Sequence, residues 1–230
     1  MILVLIASAL APVIAVIIYI YYKDKYEKEP LSLLLKSFIL GVISIIPAIL
    51  LETLAEKIGL GVSRDIVQTA IYAFIGVGFS EEFSKYVFLR YYIYPKKEFD
   101  EPFDGIVYAV MISMGFAAAE NIMYVIQGGF SVAWSRMFTA IPAHATFGIL
   151  MGYYVGKAKF HDNKFLLMVK GLGIAVLLHG FYDFFLFTSQ YYGLTFLSLA
   201  TLYFAIRLSF RAINASSEDS PHRKWTFKDF

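Results

Sequence analysis

Long runs of apolar residues, separated by short polar stretches, dominate the pattern of this 230-residue chain. About seven of these runs have the roughly 20-residue length that an α-helix needs to cross a bilayer. They cover residues 2–22, 31–51, 66–89, 105–126, 137–156, 165–188 and 192–210. The pattern therefore predicts an all-α fold, a polytopic membrane bundle of about seven transmembrane helices. We expect the membrane domain to cover residues 1–212, followed by a short polar tail at 213–230.

The composition agrees with a membrane protein. Hydrophobic residues make up 59% of the chain, and the mean hydropathy is +0.64, whereas soluble domains contain about 45–50% apolar residues. The chain has no cysteine, which excludes disulfides, thiolate metal sites and a thiol nucleophile. A net charge of only +2 gives no support for a nucleic-acid partner. The expected surroundings are a lipid bilayer.

Basic residues concentrate in alternate loops. Those that follow the first, third, fifth and seventh apolar runs are Lys23, Lys25, Lys28, Arg90, Lys96, Lys97, Lys157, Lys159, Lys164, Arg211, Arg223, Lys224 and Lys228. The other loops hold only Lys57, Arg64 and Arg136. Because basic loops stay in the cytoplasm, this distribution predicts an N-terminus outside and a C-terminus inside.

Several ionisable residues interrupt the apolar runs. They are Glu81, Glu82 and Lys85 in the third run, Glu120 beside Asn121 in the fourth, His144 in the fifth, and His179 and Asp183 in the sixth. Such groups are costly in a bilayer and mark function by default. Depth in the bilayer can be counted in residues from the predicted membrane surfaces. By this count, the ionisable residues of runs four to six lie in one layer of the outer half of the bilayer, and Glu81 and Glu82 lie somewhat deeper. We therefore expect one polar pocket.

This set of side chains can support hydrolysis. One of two neighbouring glutamates can act as a general base on water, with Lys85 one helical turn after Glu81. A histidine and Asp183 on a facing helix can stabilise an oxyanion. Structural interpretations remain open for each pair: a buried Glu81–Lys85 salt bridge, an interhelical His179–Asp183 bond, and polar contacts of Glu120 and Asn121 between helices.

Other intramembrane protease patterns are absent from the sequence. It contains no H-E-x-x-H zinc motif, no aspartyl G-x-G-D motif, and no serine G-x-S-G motif. The motifs that remain are Glu81-Glu82-x-x-Lys85, "FDGIVYA" at 103–109, "GFAAAEN" at 115–121, "PAHATFGILMGYYVGKA" at 142–158 and "LLHGFYDF" at 177–184. With them the chain resembles the PrsW family of bacterial intramembrane proteases, within the CAAX-protease and bacteriocin-processing clan.

The resemblance implies a function and a set of site residues. PrsW-like proteins resemble the site-1 protease that cuts a single-pass anti-sigma factor on its extracytoplasmic side, which leads to sigma-factor activation in envelope stress. The implied location is the bacterial cytoplasmic membrane, with several spans. Glu81, Glu82 and His179 are then the first candidates for catalysis. Glu120, His144 and Asp183 come second, and Lys85 and Asn121 support them.

Metal dependence and the alternatives stay open at this point. The interpretation we favour is metal-independent, with no cofactor, although Glu81, Glu82, His144 and His179 are ligand types suited to zinc. The enzymatic alternative is a CAAX-type prenyl endopeptidase acting on a lipidated C-terminus. The non-enzymatic alternatives are a proton-coupled carrier and a membrane scaffold using the same buried residues, but no inverted repeat supports a carrier.

Overall fold

The structure, a computed structural model, describes residues 2–221 apart from the side chains of residues 190 and 191, and this part of the chain contains no β-strand. The α-helices are α1 (Ile2–Lys23), α2 (Leu31–Lys57), α3 (Ile66–Ile71), α4 (Ser80–Phe88), α5 (Pro102–Phe138), α6 (Ala140–Lys159), α7 (Lys164–Tyr192) and α8 (Thr195–Glu218). Two π-helical segments, Tyr72–Phe79 and Leu89–Ile93, flank α4. The predicted all-α fold is confirmed for the described residues.

Within residues 2–221, five helical segments are long and apolar enough to cross a membrane: Ile2–Lys23, Leu31–Lys57, Pro102–Lys159, Lys164–Ser189 and Thr195–Glu218. The Pro102–Lys159 segment contains both α5 and α6. The predicted third span falls on Ile66–Ile93, where short helices alternate with π segments and the charged residues of α4 interrupt the apolar run. These helices identify a multi-pass membrane protein. The count of about seven spans and the orientation of the two termini stay predictions.

The first half of α5 forms the centre of the bundle. Every residue from Pro102 to Ala118 is buried, because α1, α2 and α6 all pack against this helix. A helix that is apolar on all sides is stable only when neighbours surround it. The outer helices instead present large apolar side chains outward, such as Leu3, Leu31 and Phe165. That exterior suits contact with lipid.

Glycines let α5 and α6 approach each other closely. A Cβ at Gly152 would lie 2.2 Å from the carbonyl oxygen of Gly105, and one at Gly156 would lie 2.1 Å from that of Pro102. No larger side chain fits at those positions. Small residues at such an interface are typical of helices packed in membranes. The close contact fixes α6, and with it His144, against α5.

The chain reverses inside the segment assigned to α5. Gly129 has φ 67° and ψ −155°, a conformation outside the helical region that glycine adopts readily. A straight helix would separate residues 120 and 136 by about 24 Å, yet the Arg136 side chain contacts Glu120 at 2.7 Å. Val125 and Ala133 also pack together against Ala9. The residues after Gly129 therefore fold back along the end of α5.

Helix α8 extends beyond the predicted seventh span. It continues to Glu218, inside the segment predicted as a polar tail at 213–230. The side chains of Ser216 and Ser220 are buried, and the Ser220 hydroxyl donates a hydrogen bond to Glu101. The start of the predicted tail is therefore an ordered part of the bundle. Residues 222–230 lie outside the described residues.

Candidate active site

The two adjacent glutamates lie at the start of α4, directly after the first π segment. π-helical turns are rare and are often found at functional sites. Helix α7 passes close to this segment, since a Cβ at Gly78 would lie 3.2 Å from Gly180 N and 3.3 Å from Val176 O. The α7 backbone thus occupies the space beside Gly78. This packing brings His179 within reach of Glu82.

Lys85 is the shared partner of the buried carboxylates. Its Nζ lies 3.1 Å from Glu81 Oε2 and 2.7 Å from Glu82 Oε1. The same ammonium lies 3.2 Å from His144 Nδ1 and 4.0 Å from the centre of the Phe116 ring. Because an ammonium group has no acceptor, His144 Nδ1 accepts this hydrogen bond. Both the lysine and the glutamates are almost fully buried.

The second ring nitrogen of His144 connects this group to α5. His144 Nε2 lies 2.9 Å from Glu120 Oε2, which accepts a hydrogen bond from the remaining N–H of the ring. Arg136 donates to Glu120 Oε2 through Nη2 at 2.7 Å and to Asn121 Oδ1 through Nε at 2.7 Å. Asn121 in turn donates to the carbonyl of Ala9 on α1. These hydrogen bonds join four helical segments, namely α1, α6 and the two parts of α5 before and after Gly129.

His179 on α7 lies between carboxylates on both sides. Its Nδ1 is 2.9 Å from Glu82 Oε1, and its Nε2 is 3.2 Å from Asp183 Oδ2. The spacing of four residues places Asp183 on the same face of α7, as expected from the helical period. Glu81 Oε2 is 4.0 Å from Nε2. An imidazolium satisfies both close contacts with donated N–H bonds, whereas a neutral ring satisfies only one.

A cavity of about 710 Å³ opens beside this group. The acidic and basic residues on its wall are Glu52, Glu81, Glu120, Arg136, His144, His179 and Asp183, and apolar side chains form most of the rest. Glu82 is absent from the wall and is fully buried behind it. The structure thus brings all six predicted catalytic residues into one group with Lys85 and Asn121 beside them. Their catalytic roles stay predictions.

Two residues of the cavity were not predicted from the sequence. The sequence places Arg136 in an outer loop, between the fourth and fifth apolar runs, and helical periodicity alone cannot bring it to Glu120. The Gly128–Gly129 pair was the available signal for a chain reversal. Glu52 lies just past the predicted end of the second span, and the structure extends α2 to Lys57. Among the described residues, no hydrogen bond or ion pair holds the Glu52 carboxyl group.

Comparison with known proteins assigns this helical bundle and its buried polar group to a class of membrane enzyme. Residues 29–209 match the model of the PrsW family intramembrane metalloprotease. The chain is 37% identical over 191 residues to Protease PrsW of Geobacillus kaustophilus, with 82% of each chain covered. It is 40% identical over 184 residues to Protease PrsW of Bacillus subtilis, covering 79% of this chain and 82% of the relative. No solved structure matches the chain at a significant level.

The chain belongs to the PrsW family of intramembrane proteases. The predicted family and the predicted peptidase activity are confirmed by these matches. The alternatives outside catalysis, a carrier and a scaffold, lose their support. Glu81, Glu82 and Lys85 on α4, His144 on α6 and His179 on α7 lie inside the matched range.

The family description names a metalloprotease, and the residues present fit a metal ion. Glu81, Glu82, His144 and His179 each offer a ligand atom, and these atoms all lie within 4.8 Å of one another. Carboxylate oxygens and imidazole nitrogens are the ligands that zinc takes in catalytic sites. The sequence predicts the same four residues as the ligands of a metal ion, if one binds. The Lys85 ammonium contacts three of them, so it already places one positive charge in this group.

Proposed function

We propose that this protein hydrolyses a peptide bond of a single-pass membrane protein within its bundle, close to the extracytoplasmic side. By family resemblance, the substrate we propose is an anti-sigma factor, and its site-1 cleavage would lead to sigma-factor activation in envelope stress. The observation that carries the proposal is the convergence of Glu81, Glu120, His144, His179 and Asp183 on the wall of one cavity. Such costly groups are retained inside a membrane protein for function.

Glu81 is the residue we assign as the general base. It lines the cavity, where water and a substrate carbonyl can reach its carboxylate. Glu82 cannot be reached in the same way, because it is fully buried and its Oε1 already binds Lys85 and His179. We therefore infer that Glu82 positions these two side chains. The two adjacent glutamates then have different roles.

The reaction requires one water and a proton acceptor. Glu81 takes a proton from the water while the water oxygen forms a bond to the scissile carbonyl carbon. The carbonyl π electrons move onto oxygen, and this oxyanion needs a donor close by. The donor that we propose is His179 Nε2–H, which would transfer its hydrogen bond from Asp183 Oδ2 to the oxyanion. Glu81 then returns the proton to the amide nitrogen as the C–N bond breaks and the carboxyl product forms.

A bonded group on the cavity wall is formed by Glu120, His144 and Arg136. The bonds from Arg136 and His144 to Glu120 join the chain reversal after Gly129 to α6. We propose that this wall orients the substrate backbone rather than taking part in proton transfer. Precise orientation of the reacting groups contributes strongly to rate.

A bound metal ion would be held by Glu81, Glu82, His144 and His179, where it would act as a Lewis acid on water or on the substrate carbonyl. The roles proposed above for Glu81 and His179 describe the metal-free site, because an atom that ligates the ion could not also act as base or hydrogen-bond donor. A chelator test on purified protein separates the two possibilities. Lost cleavage that zinc restores would establish metal dependence, and undiminished cleavage in EDTA would favour our metal-independent interpretation.

Co-expression with candidate single-pass substrates tests the function. The wild type should give a clipped product, whose new terminus mass spectrometry should place near the outer end of the substrate helix. Glu81→Gln should accumulate normally and leave the substrate intact. Lys170→Ala is the matched control, because Lys170 is remote from the cavity wall and contacts Tyr154. Clipping by Glu81→Gln at the wild-type level would overturn the assignment of the base.

A further inference from the structure

One carboxyl group on the cavity wall has no role in the proposed hydrolysis. It belongs to Glu52, in the last two turns of α2. The Glu52 side chain is half-buried, and Glu81, Glu120, His179 and Asp183 all act on its carboxyl group electrostatically. Glu52 therefore lies near the proposed catalytic group without bonding to it.

The other carboxylates on the wall are each held by a basic partner within 3.2 Å. These pairs are Glu81 with Lys85, Glu120 with Arg136, and Asp183 with His179. In the part of the chain that the structure describes, Glu52 has no such partner. Charged groups withdrawn from water are normally paired. The Glu52 carboxylate is thus the negative charge on this wall that is left for a cation entering the cavity.

Glu52 continues an apolar face of α2. Ile45 and Ile49 also line the cavity, and their spacing from Glu52 places all three side chains on one face of the helix. This face presents two apolar side chains and then a carboxylate. Glu52 is also the first residue after the apolar run at 31–51 that is predicted to span the membrane. The carboxylate therefore lies at the level where a membrane-spanning segment ends.

We propose that Glu52 recognises a lysine or arginine side chain of the substrate, at the position where the apolar segment of the substrate ends. The inference rests on the proposed function, because that function brings a substrate segment into this cavity. The apolar segment would lie against Ile45 and Ile49, and the basic side chain that follows it would meet the Glu52 carboxylate. Long basic side chains at the end of a membrane segment extend toward the polar interface, which brings their charge to this level.

The charges already on the wall favour a basic side chain over an acidic or a neutral one. Arg136 is not available to Glu52, because it donates to Glu120 and Asn121 and lies 4.2 Å from the centre of the Tyr124 ring. An acidic substrate side chain would be repelled by Glu52, and a neutral one would leave its carboxylate unpaired. Attraction of one charge and repulsion of the other together give specificity.

Glu56 provides a matched control one helical turn further along α2. Its carboxylate accepts a hydrogen bond of 3.0 Å from the Tyr72 hydroxyl, and the side chain does not line the cavity. Glu52 and Glu56 thus carry the same charge on the same helix, and only Glu52 faces the cavity. Substitution of Glu56 should leave recognition of the substrate unchanged.

The test is the affinity of the full chain for three labelled single-pass peptides in lipid vesicles. Each peptide has about 20 apolar residues, followed by lysine, glutamine or glutamate. Energy transfer from labelled Glu81→Gln protein, in which the peptides should stay uncut, measures binding. We expect the lysine peptide to bind about tenfold more tightly than the glutamine peptide, and the glutamate peptide to bind most weakly. Adding Glu52→Gln should reduce the preference for lysine to about twofold or less, whereas adding Glu56→Gln should keep it.

Equal affinity for the three peptides would overturn the inference, as would a preference for lysine that persists in Glu52→Gln. The first comparison changes only the peptides, so it stands even if a variant folds poorly. Absence of binding by all three peptides would also reject the role of Glu52.

Cleavage of the same peptides by the wild type separates this inference from the proposed function. A preference for lysine in binding, without any cleavage, would support the role of Glu52 and reject the hydrolysis. Cleavage of all three peptides with equal kcat/KM would support the hydrolysis and reject the role of Glu52. If Glu52→Gln slowed cleavage of all three peptides equally and left their relative affinities unchanged, Glu52 would act in the chemistry, and recognition of a basic residue would be rejected.

Discussion

The two acidic groups of this protein differ in how their charge is balanced. In the central cluster, formed by Glu81, Glu82, Glu120 and Asp183, every carboxylate bonds to Lys85, Arg136 or a histidine. The second acidic group is also buried, and neither oxygen of Asp24 has a hydrogen-bond donor within bonding distance; its members are Asp24 and Glu29 in the α1–α2 linker and Glu101 and Asp104 at the start of α5. A charge in the interior of a bundle has no access to ions and needs a fixed partner. A buried carboxyl group without a fixed partner can instead be neutralised by a proton.

The comparison predicts opposite responses to the removal of a charge. The largest effect should follow Lys85→Met, because one ammonium serves Glu81, Glu82 and His144. Removing one partner of a buried ion pair costs about 3–5 kcal/mol. The free energy of unfolding, measured by SDS titration in EDTA, should fall by that amount. Lys36→Met, at an exposed lysine of α2, is the control; equal losses in both variants would contradict the prediction.

A smaller effect is expected for the ion pair of Arg136 with Glu120 on the cavity wall. Arg136 and Glu120 have side-chain exposures of 15% and 14%, so solvent screens this pair only partly. A double-mutant cycle with Arg136→Met and Glu120→Gln should give a coupling of about 1–3 kcal/mol. The same SDS titration measures it. Additive losses would mean that the chain reversal after Gly129 does not depend on this contact.

The smallest effect concerns Asp24 and has the opposite sign. Burial raises the pKa of Asp24 to about 7, well above its ordinary value of 3.8. A carboxyl group with a raised pKa in the folded state stabilises the fold when protonated, and this contribution is lost as pH rises through 7. In EDTA, wild-type stability relative to Asp24→Asn should fall by about 1 kcal/mol between pH 6 and 7. A difference that does not change with pH would show that Asp24 is already neutralised.

The central cluster could be predicted from the sequence because its members obey helical geometry. Glu81 with Lys85, and His179 with Asp183, are spaced four residues apart, and both contacts occur. The sequence also predicted that polar residues of α5, α6 and α7 lie at a similar depth and share one pocket. In the structure these residues do lie together. A charged residue in an apolar run is easy to recognise, because the residues around it in the sequence are apolar.

The remaining features depend on turns and contacts without a period. Arg136 reaches Glu120 only because Gly129 reverses the chain. The second acidic group combines a linker between helices with the first turn of α5, and no spacing rule connects Asp24 to Asp104. The amino-acid composition of the π segments beside α4 does not differ from that of an ordinary helix, so the sequence does not reveal them. Such contacts depend on tertiary packing, which cannot be inferred from local patterns in a single sequence.

The most direct test of the central claim is the single-turnover cleavage rate of a single-pass substrate by purified protein reconstituted in bilayers. Glu81→Gln keeps the volume of the side chain but cannot take a proton from water. It should lower the rate by about 10²–10⁴-fold while the unfolding temperature stays close to that of the wild type. A rate within a few-fold of the wild type would contradict the account, because the carboxylate on the cavity wall would then not be the base.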